Sequence, residues 1–305
     1  MKNILYCFDS NYNLQGAVSI YSLLENYNTK IDLYIIHDEP AKFQKFIKKI
    51  RSHKNLNSIN IYKFNDKQHE FPNLKEAHVT YATYFRMFIN KYLPDSLDYV
   101  VYIDPDIICL KDPSKELEKV IKDLENSSFS IAALTEGVRE TSTLFDSLSL
   151  KGEKYFNAGL IIINYKDWLK QNVGEKLLNI MLENFNNIKY WDQDVMNKYF
   201  DGNYIEIPRS LNYTSSDGIN LPDGNIHMLH YAGSKKPWYF EFVLEKISKH
   251  YHEAFQKLFK NKFHVTLNLK RHEVPELLSI IFSREFKLSD KIKFFYGIFK
   301  TRIIK

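Results

Sequence analysis

The first 64 residues alternate between strand and helix periodicities, and that alternation admits few architectures. Ile4 to Phe8 and Asp32 to Ile36 are apolar runs of strand length. Gln15 to Tyr27 carries Ala17, Ile20, Leu23 and Leu24 at helical spacing, Ala41 to Arg51 is a second helical stretch, and Ser58 to Phe64 alternates polar with apolar. This β-α-β-α-β order predicts an α/β fold: a parallel sheet covered by helices, with ligands held outside the carboxyl ends of the strands. Asp9 falls at that rim. The run Tyr99-Val100-Val101-Tyr102-Ile103 ends in Asp104-Pro105-Asp106, so an acidic pair emerges at the same kind of edge. Two carboxylates one residue apart supply hard oxygen donors. They suit Mg²⁺ or Mn²⁺ with coordination places left for phosphates, as in a clamp for a nucleotide diphosphate. Asp-Pro-Asp is also a good turn sequence, and the three residues alone leave both readings open.

Further along, helical character from Tyr81 to Tyr92 precedes the Tyr99 strand. A strand near Ser130 to Leu134, the apolar run Leu160 to Ile163, helices around Trp168 to Phe185 and Asp194 to Tyr199, and helical character past Pro237 follow. We place the catalytic domain at 1–265 and a helical tail at 266–305. The 305 residues, 44% of them hydrophobic, suffice for one large α/β domain with additions. No run reaches the length of a membrane-spanning helix, and Met1 to Phe8 meets Asp9 too soon for a secretory signal, so a cytoplasmic protein is expected. Cys7 and Cys109 lie in or beside apolar runs and read as buried thiols rather than a disulfide or metal site.

Charge is informative once located. From Arg284 onward there are seven Lys or Arg against Glu285 and Asp290, a net of +5 that equals the formal net charge of the whole chain. Residues 1–283 are therefore neutral overall. The same stretch carries Phe286, Leu288, Ile292, Phe294, Phe295, Ile298, Phe299, Ile303 and Ile304. Positive charge mixed with large apolar groups describes a helix on an anionic membrane surface, and also an ordinary packing helix with a solvated basic face. Charge confined to one end argues against a nucleic-acid-binding surface.

Four further segments, taken in order with Phe8-Asp9-Ser10-Asn11-Tyr12 and the acidic pair, carry a family resemblance: Thr83-Tyr84-Phe85-Arg86; Phe156-Asn157-Ala158-Gly159; Trp191-Asp192-Gln193-Asp194; and the stretch His227 to Trp238 with its core His230-Tyr231-Ala232-Gly233-Ser234-Lys235-Lys236-Pro237. Over about residues 3–240 the chain resembles family 8 glycosyltransferases, which include bacterial lipopolysaccharide galactosyl- and glucosyltransferases. The resemblance implies a GT-A fold and a retaining enzyme that transfers galactose or glucose from a UDP-sugar with Mn²⁺. It implies a lipopolysaccharide or other glycan, including a lipid-linked oligosaccharide, as acceptor, and a location on the inner face of the cytoplasmic membrane. Carried over by motif, Asp104, Asp106 and His230 are the metal ligands, and Lys236 with Gly233 takes the diphosphate. Asp9, Asn11 and Tyr12 form the uridine corner. Arg86 reaches the sugar nucleotide, and Asn157, Asp192 and Gln193 face the donor sugar.

Each assignment has a plainer counterpart in the residues themselves. Asp9 suits an N-cap or Asx-turn, Arg86 a helix-surface ion pair, and Asp192 and Asp194 a helix cap. Lys235 rivals Lys236, and His227 lies outside the matched motif and reads as structural. One departure concerns the acceptor: after Ala132-Ala133-Leu134, where relatives often carry an acceptor-binding aspartate, this chain has Thr135 and Glu136. Other functional readings are a metal-dependent nucleotidyltransferase or phosphohydrolase, a non-catalytic carbohydrate or membrane adaptor, and a self-glycosylating priming protein.

Overall fold

The computed structural model describes residues 2–66, 68–72, 80–136, 141–215, 225–266, 288–289, 291–292 and 294–297. In chain order its elements are β1 (Asn3–Phe8), α1 (Asn13–Asn26), β2 (Ile31–His37), α2 (Pro40–Ile50), β3 (Leu56–Lys63), a 3-10 helix (Tyr81–Lys91), β4 (Tyr99–Ile103), β5 (Ile107–Cys109) and α3 (Ser114–Glu125). Then follow β6 (Ile131–Thr135), α4 (Thr141–Leu148), β7 (Phe156–Asn164), α5 (Tyr165–Lys170), α6 (Val173–Glu183), α7 (Trp191–Phe200), β8 (Ile205–Glu206), β9 (Tyr213–Thr214), β10 (Met228–His230) and α8 (Ser248–Phe259).

Seven strands form one sheet in the order β3-β2-β1-β4-β7-β6-β8. Alternate side chains of β1 feed different layers, Ile4, Tyr6 and Phe8 packing on α1 and α2, and Leu5 and Cys7 packing under the 3-10 helix. Burial on both faces explains why these strands read as continuous apolar runs. Cys7 and Cys109 are both buried and free.

The sheet departs from the expected all-parallel arrangement at one strand. β7 runs antiparallel to both β4 and β6, while β1 pairs parallel with β2 and β4. The reversal has a functional consequence: the first residues of β7 lie at the same rim as the carboxyl ends of β4 and β6. Asn157 stands opposite Leu134, and the Asp104 N–H donates to Gly159 O at 2.8 Å. A second sheet, β5-β10-β9, crosses this rim. Its antiparallel register sets His230 opposite Ile107, so a residue from far along the chain arrives beside Asp106.

Past Pro237 the chain makes successive turns, the N–H groups of Tyr239, Phe242, Glu245 and Ser248 each bonding three residues back, before α8 begins. Thr266 bridges to Tyr239, and Phe294 is buried against Phe240 and Phe263. This small cluster joins residues on both sides of position 265. Residues 288–289, 291–292 and 294–297 are helical; Arg284 to Lys287, Lys293 and 298–305 of the basic tail lie outside the described residues.

Candidate active site

The turn reading and the acidic-site reading of Asp104-Pro105-Asp106 both hold. The Ile107 N–H bonds back to Asp104 O at 3.1 Å, closing a four-residue turn with Pro105 at its second position, where a fixed φ is favourable. This turn delivers both carboxylates to a cleft of about 900 Å³ at the sheet rim. Of the twelve residues assigned from the sequence, eleven line the cleft: Asp9, Tyr12, Arg86, Asp104, Asp106, Asn157, Asp192, Gln193, His230, Gly233 and Lys236. Asn11 does not. It is exposed, and its amide turns back to donate to Asp9 Oδ2 at 3.2 Å. Asp9 also caps the turn at Ser10–Tyr12 by accepting the Asn11 N–H at 3.0 Å, so its capping role and its place on the cleft wall coexist.

Oxygen and nitrogen atoms of Asp104, Asp106 and His230 lie within 4.8 Å of one another. His230 Nε2 is 3.4 Å from Asp106 Oδ1 and 3.9 Å from Asp104 Oδ2. The remaining carboxylate oxygens are engaged elsewhere: Asp104 Oδ1 accepts from the Tyr102 hydroxyl and from Arg86 at 3.1 Å, and Asp106 Oδ2 accepts from Lys236 at 2.5 Å. Asp106 Oδ1 is buried without a hydrogen-bond donor. Burial raises both carboxyls. For Asp106 the Lys236 ammonium and His230 outweigh it and hold the group well below the usual range, whereas Asp104 stays raised because Asp106 adds repulsion to burial.

The orientation of the His230 ring follows from a chain of bonds that starts at the backbone. The Gly159 N–H donates to Asn157 at 2.9 Å, which makes that atom Oδ1, and Asn157 Nδ2 donates to Glu136 Oε1 at 2.7 Å. The Asn212 group 2.9 Å from Asn157 Oδ1 must then be its amide nitrogen, so Asn212 offers Oδ1 to His230 Nδ1 at 2.9 Å. His230 therefore carries a proton on Nδ1, and Nε2 is the ring atom turned toward the two carboxylate oxygens. With Nε2 unprotonated, the two carboxylate oxygens and this nitrogen, all within 4.8 Å of one another, would suit a hard or borderline divalent cation, and such an O,O,N set leaves octahedral places for phosphate oxygens.

Arg86 is buried, so it is no helix-surface ion pair. Its Nε meets Asp192 Oδ2 at 2.7 Å, its NH1 bonds Ala158 O, and its guanidinium lies 4.0 Å over the Tyr102 ring. The 3-10 helix that carries it also brings the Thr83 hydroxyl to Asp192. Burial pushes Asp192 up to about 6, against the lowering influence of Arg86 and Thr83. Asp194 does not cap the first turn of its helix; it reaches back to the segment before it, accepting from the N–H groups of Lys189 and Tyr190 at 2.7 and 2.8 Å. Gln193 Oε1 accepts the Ala158 N–H at 2.9 Å. Lys236 reaches Asp106, while Lys235 lies over the Phe242 ring; His227 faces Glu116 at 3.4 Å, away from the acidic pair. Gly233, with φ of 76°, takes a backbone conformation that side chains rarely adopt.

Sequence reasoning missed Asn212, fully buried between His230 and Asn157, because a single asparagine in Leu211-Asn212-Tyr213 carries no motif. It also gave no role to Gly159, where a Cβ would sit 2.2 Å from the His230 ring.

A parallel-rich sheet with two aspartates, a histidine and a lysine grouped at its rim is the architecture of a GT-A glycosyltransferase. The family model for glycosyl transferase family 8 matches residues 3–241, and the chain belongs to that family. Lipopolysaccharide 1,2-glucosyltransferase of Escherichia coli K12 is 32% identical over 257 residues, covering 78% of this chain and 72% of that protein. Lipopolysaccharide 1,3-galactosyltransferase of Salmonella typhimurium LT2 is also 32% identical, covering 78% and 73%. The crystal structure of galactosyltransferase LgtC in complex with donor and acceptor sugar analogues superposes with a TM-score of 0.72 at 20% identity, covering 84% of this chain and 96% of that one. At that identity the likeness speaks for the fold.

Proposed function

We propose that this glycosyltransferase moves galactose or glucose, with retention at the anomeric carbon, from a UDP-sugar to a lipopolysaccharide or other glycan acceptor, in the presence of Mn²⁺ or Mg²⁺. The observation that carries the reading is the convergence of one possible ligand atom each from Asp104, Asp106 and His230 beside Lys236. The two similar enzymes named above support a hexose donor and a lipopolysaccharide acceptor. A bound divalent cation would offset charge growing on the diphosphate as it leaves.

The protein's own groups account for the rest. The Lys236 ammonium, already oriented by Asp106 and Tyr231 O, offers donors at the diphosphate, and the backbone at Gly233 allows close approach. Asp9 and Tyr12 border the uridine end. At the sugar, Asp192, Asn157 and Gln193 recognise hydroxyls through carboxylate and amide groups. Among the described residues, the groups assigned to the sugar end are poorly suited to a double displacement. Asp192 is paired with Arg86, Glu136 is bonded by Asn157, and the amide of Gln193 is a poor nucleophile. The acceptor hydroxyl therefore attacks from the face that UDP leaves, passing its proton to the departing phosphate oxygen, while the cleft positions both partners.

No helix among the described residues is long and apolar enough to cross a membrane. Leu288, Ile292 and Tyr296 are 74%, 60% and 51% exposed beside Lys291. Exposed apolar groups on a basic helix support peripheral attachment to anionic lipid at the inner face of the cytoplasmic membrane. The test of the activity is UDP release from a panel of UDP-hexoses with and without Mn²⁺. Turnover of at least one UDP-hexose that is lost on chelation supports the reading, and no turnover with any of them overturns it.

A further inference from the structure

Lys236 sits in a segment whose two ends are both tied to α8, although no residue of α8 lines the cleft. At one end the Tyr231 hydroxyl donates to Ile247 O at 2.7 Å and accepts the Tyr251 N–H at 3.2 Å. At the other, His252 Nε2 lies 2.9 Å from Pro237 O. The His264 N–H donates to His252 Nδ1 at 3.4 Å, so Nδ1 is the acceptor and Nε2 carries the proton that Pro237 O receives. His252 is 5% exposed, with Phe263 and Tyr251 set edge-on against its ring, and burial holds its pKa down at about 4, which keeps the ring neutral. Trp238 continues the contact, packing on Tyr251 at 5.2 Å and meeting Tyr12 of the cleft wall at 5.8 Å. Lys236 is a long side chain with many rotamers to lose, so its aim depends on how firmly its backbone is held.

We propose that His252 is a positioning residue: by holding the Pro237 carbonyl it fixes the backbone of Lys236 so that the ammonium stands where the diphosphate binds. This rests on the reading of Lys236 as a diphosphate ligand. The test is the affinity for UDP in MnCl₂, measured by titration calorimetry for the wild type, His252→Gln, His252→Leu and Tyr231→Phe, each also combined with Lys236→Ala. His252→Leu weakens UDP binding about fivefold to tenfold, while His252→Gln, whose amide reaches the same carbonyl, stays within about twofold of wild type. In the Lys236→Ala background His252→Leu has no further effect, because its influence runs through the lysine. Wild-type affinity in His252→Leu, an equal loss in His252→Gln, or an undiminished loss without Lys236 each overturns the proposal. A wild type that does not bind UDP overturns instead the reading of Lys236. If His252→Leu fails to fold, Tyr231→Phe makes the same comparison at the other end of the segment, and must show a similar loss with the same dependence on Lys236.

Discussion

Replacing Gly159 with alanine puts one methyl group where the His230 ring leaves no room for it. An added Cβ would lie 2.2 Å from His230 Cε1, 2.6 Å from Nδ1 and 2.9 Å from Asn157 Oδ1. Carbon atoms need about 3.5–4.0 Å, so the imidazole has to retreat by roughly 1.5 Å. That retreat breaks the bond to Asn212 and withdraws Nε2 from carboxylate oxygens now 3.4 and 3.9 Å away. Coordination tolerates only about 0.2 Å of error, so one of three ligands is lost while Asp104 and Asp106 stay in place. Overpacking should cost about 1–3 kcal/mol of stability. Mn²⁺ affinity should fall at least about 10- to 100-fold, the scale seen when a partner that orients a ligating histidine is removed. Electron paramagnetic resonance of free Mn²⁺ during titration gives the affinity, and urea denaturation of the same samples gives the stability. A Gly159→Ala protein that binds Mn²⁺ as tightly as wild type would refute the placement of His230 as a ligand.

Asp192, raised to about 6 by burial, is protonated below that pH, so kcat/KM should fall about tenfold per pH unit on the acid side, and Asp192→Asn should be slower at neutral pH and lack this limb. Because the folded state holds this proton more tightly than an ordinary carboxyl at 3.8, the residue's contribution to stability declines as pH rises from 3.8 to about 6. The decline is up to about 3 kcal/mol, and denaturation of Asp192→Asn across that window should be correspondingly flatter. Gln193→Ala should keep measurable transfer while Asp106→Ala loses metal-dependent transfer; complete loss in Gln193→Ala, together with sugar trapped covalently on the protein by mass spectrometry, contradicts attack from the leaving-group face. Charging the exposed tail positions Leu288 and Ile292 with aspartate should weaken sedimentation with anionic liposomes, as should raised salt, and unchanged sedimentation speaks against the membrane reading.

The sheet and its rim were legible because β-α-β alternation and continuous apolar strands leave few alternatives, and because Asp9 and the acidic pair follow directly on strand ends. The reversed strand was not legible. An apolar run such as Leu160 to Ile163 has the same pattern in either direction, and pairing with β4 and β6 shows how Asn157, placed by resemblance alone, and Gly159 come to open onto the cleft. The grouping of Asp104, Asp106 and His230 was readable only through motif resemblance, since 124 positions separate Asp106 from His230 and no local pattern links them. Asn212 escaped altogether: its importance lies in a hydrogen-bonding sequence through Asn157 that no one-dimensional spacing encodes. At Arg86 the helix-surface alternative fails because the 3-10 helix turns the guanidinium inward, over Tyr102 and between two aspartates.

The central claim is that one divalent cation is held by Asp104, Asp106 and His230 while UDP occupies the adjoining cleft. Anomalous scattering at the manganese edge, from crystals grown with MnCl₂ and UDP, measures this directly. The account predicts a single strong peak at about 2.0–2.3 Å from one oxygen of each aspartate and from His230 Nε2, with diphosphate oxygens completing the shell. A crystal with UDP bound and no peak among these three side chains would contradict it.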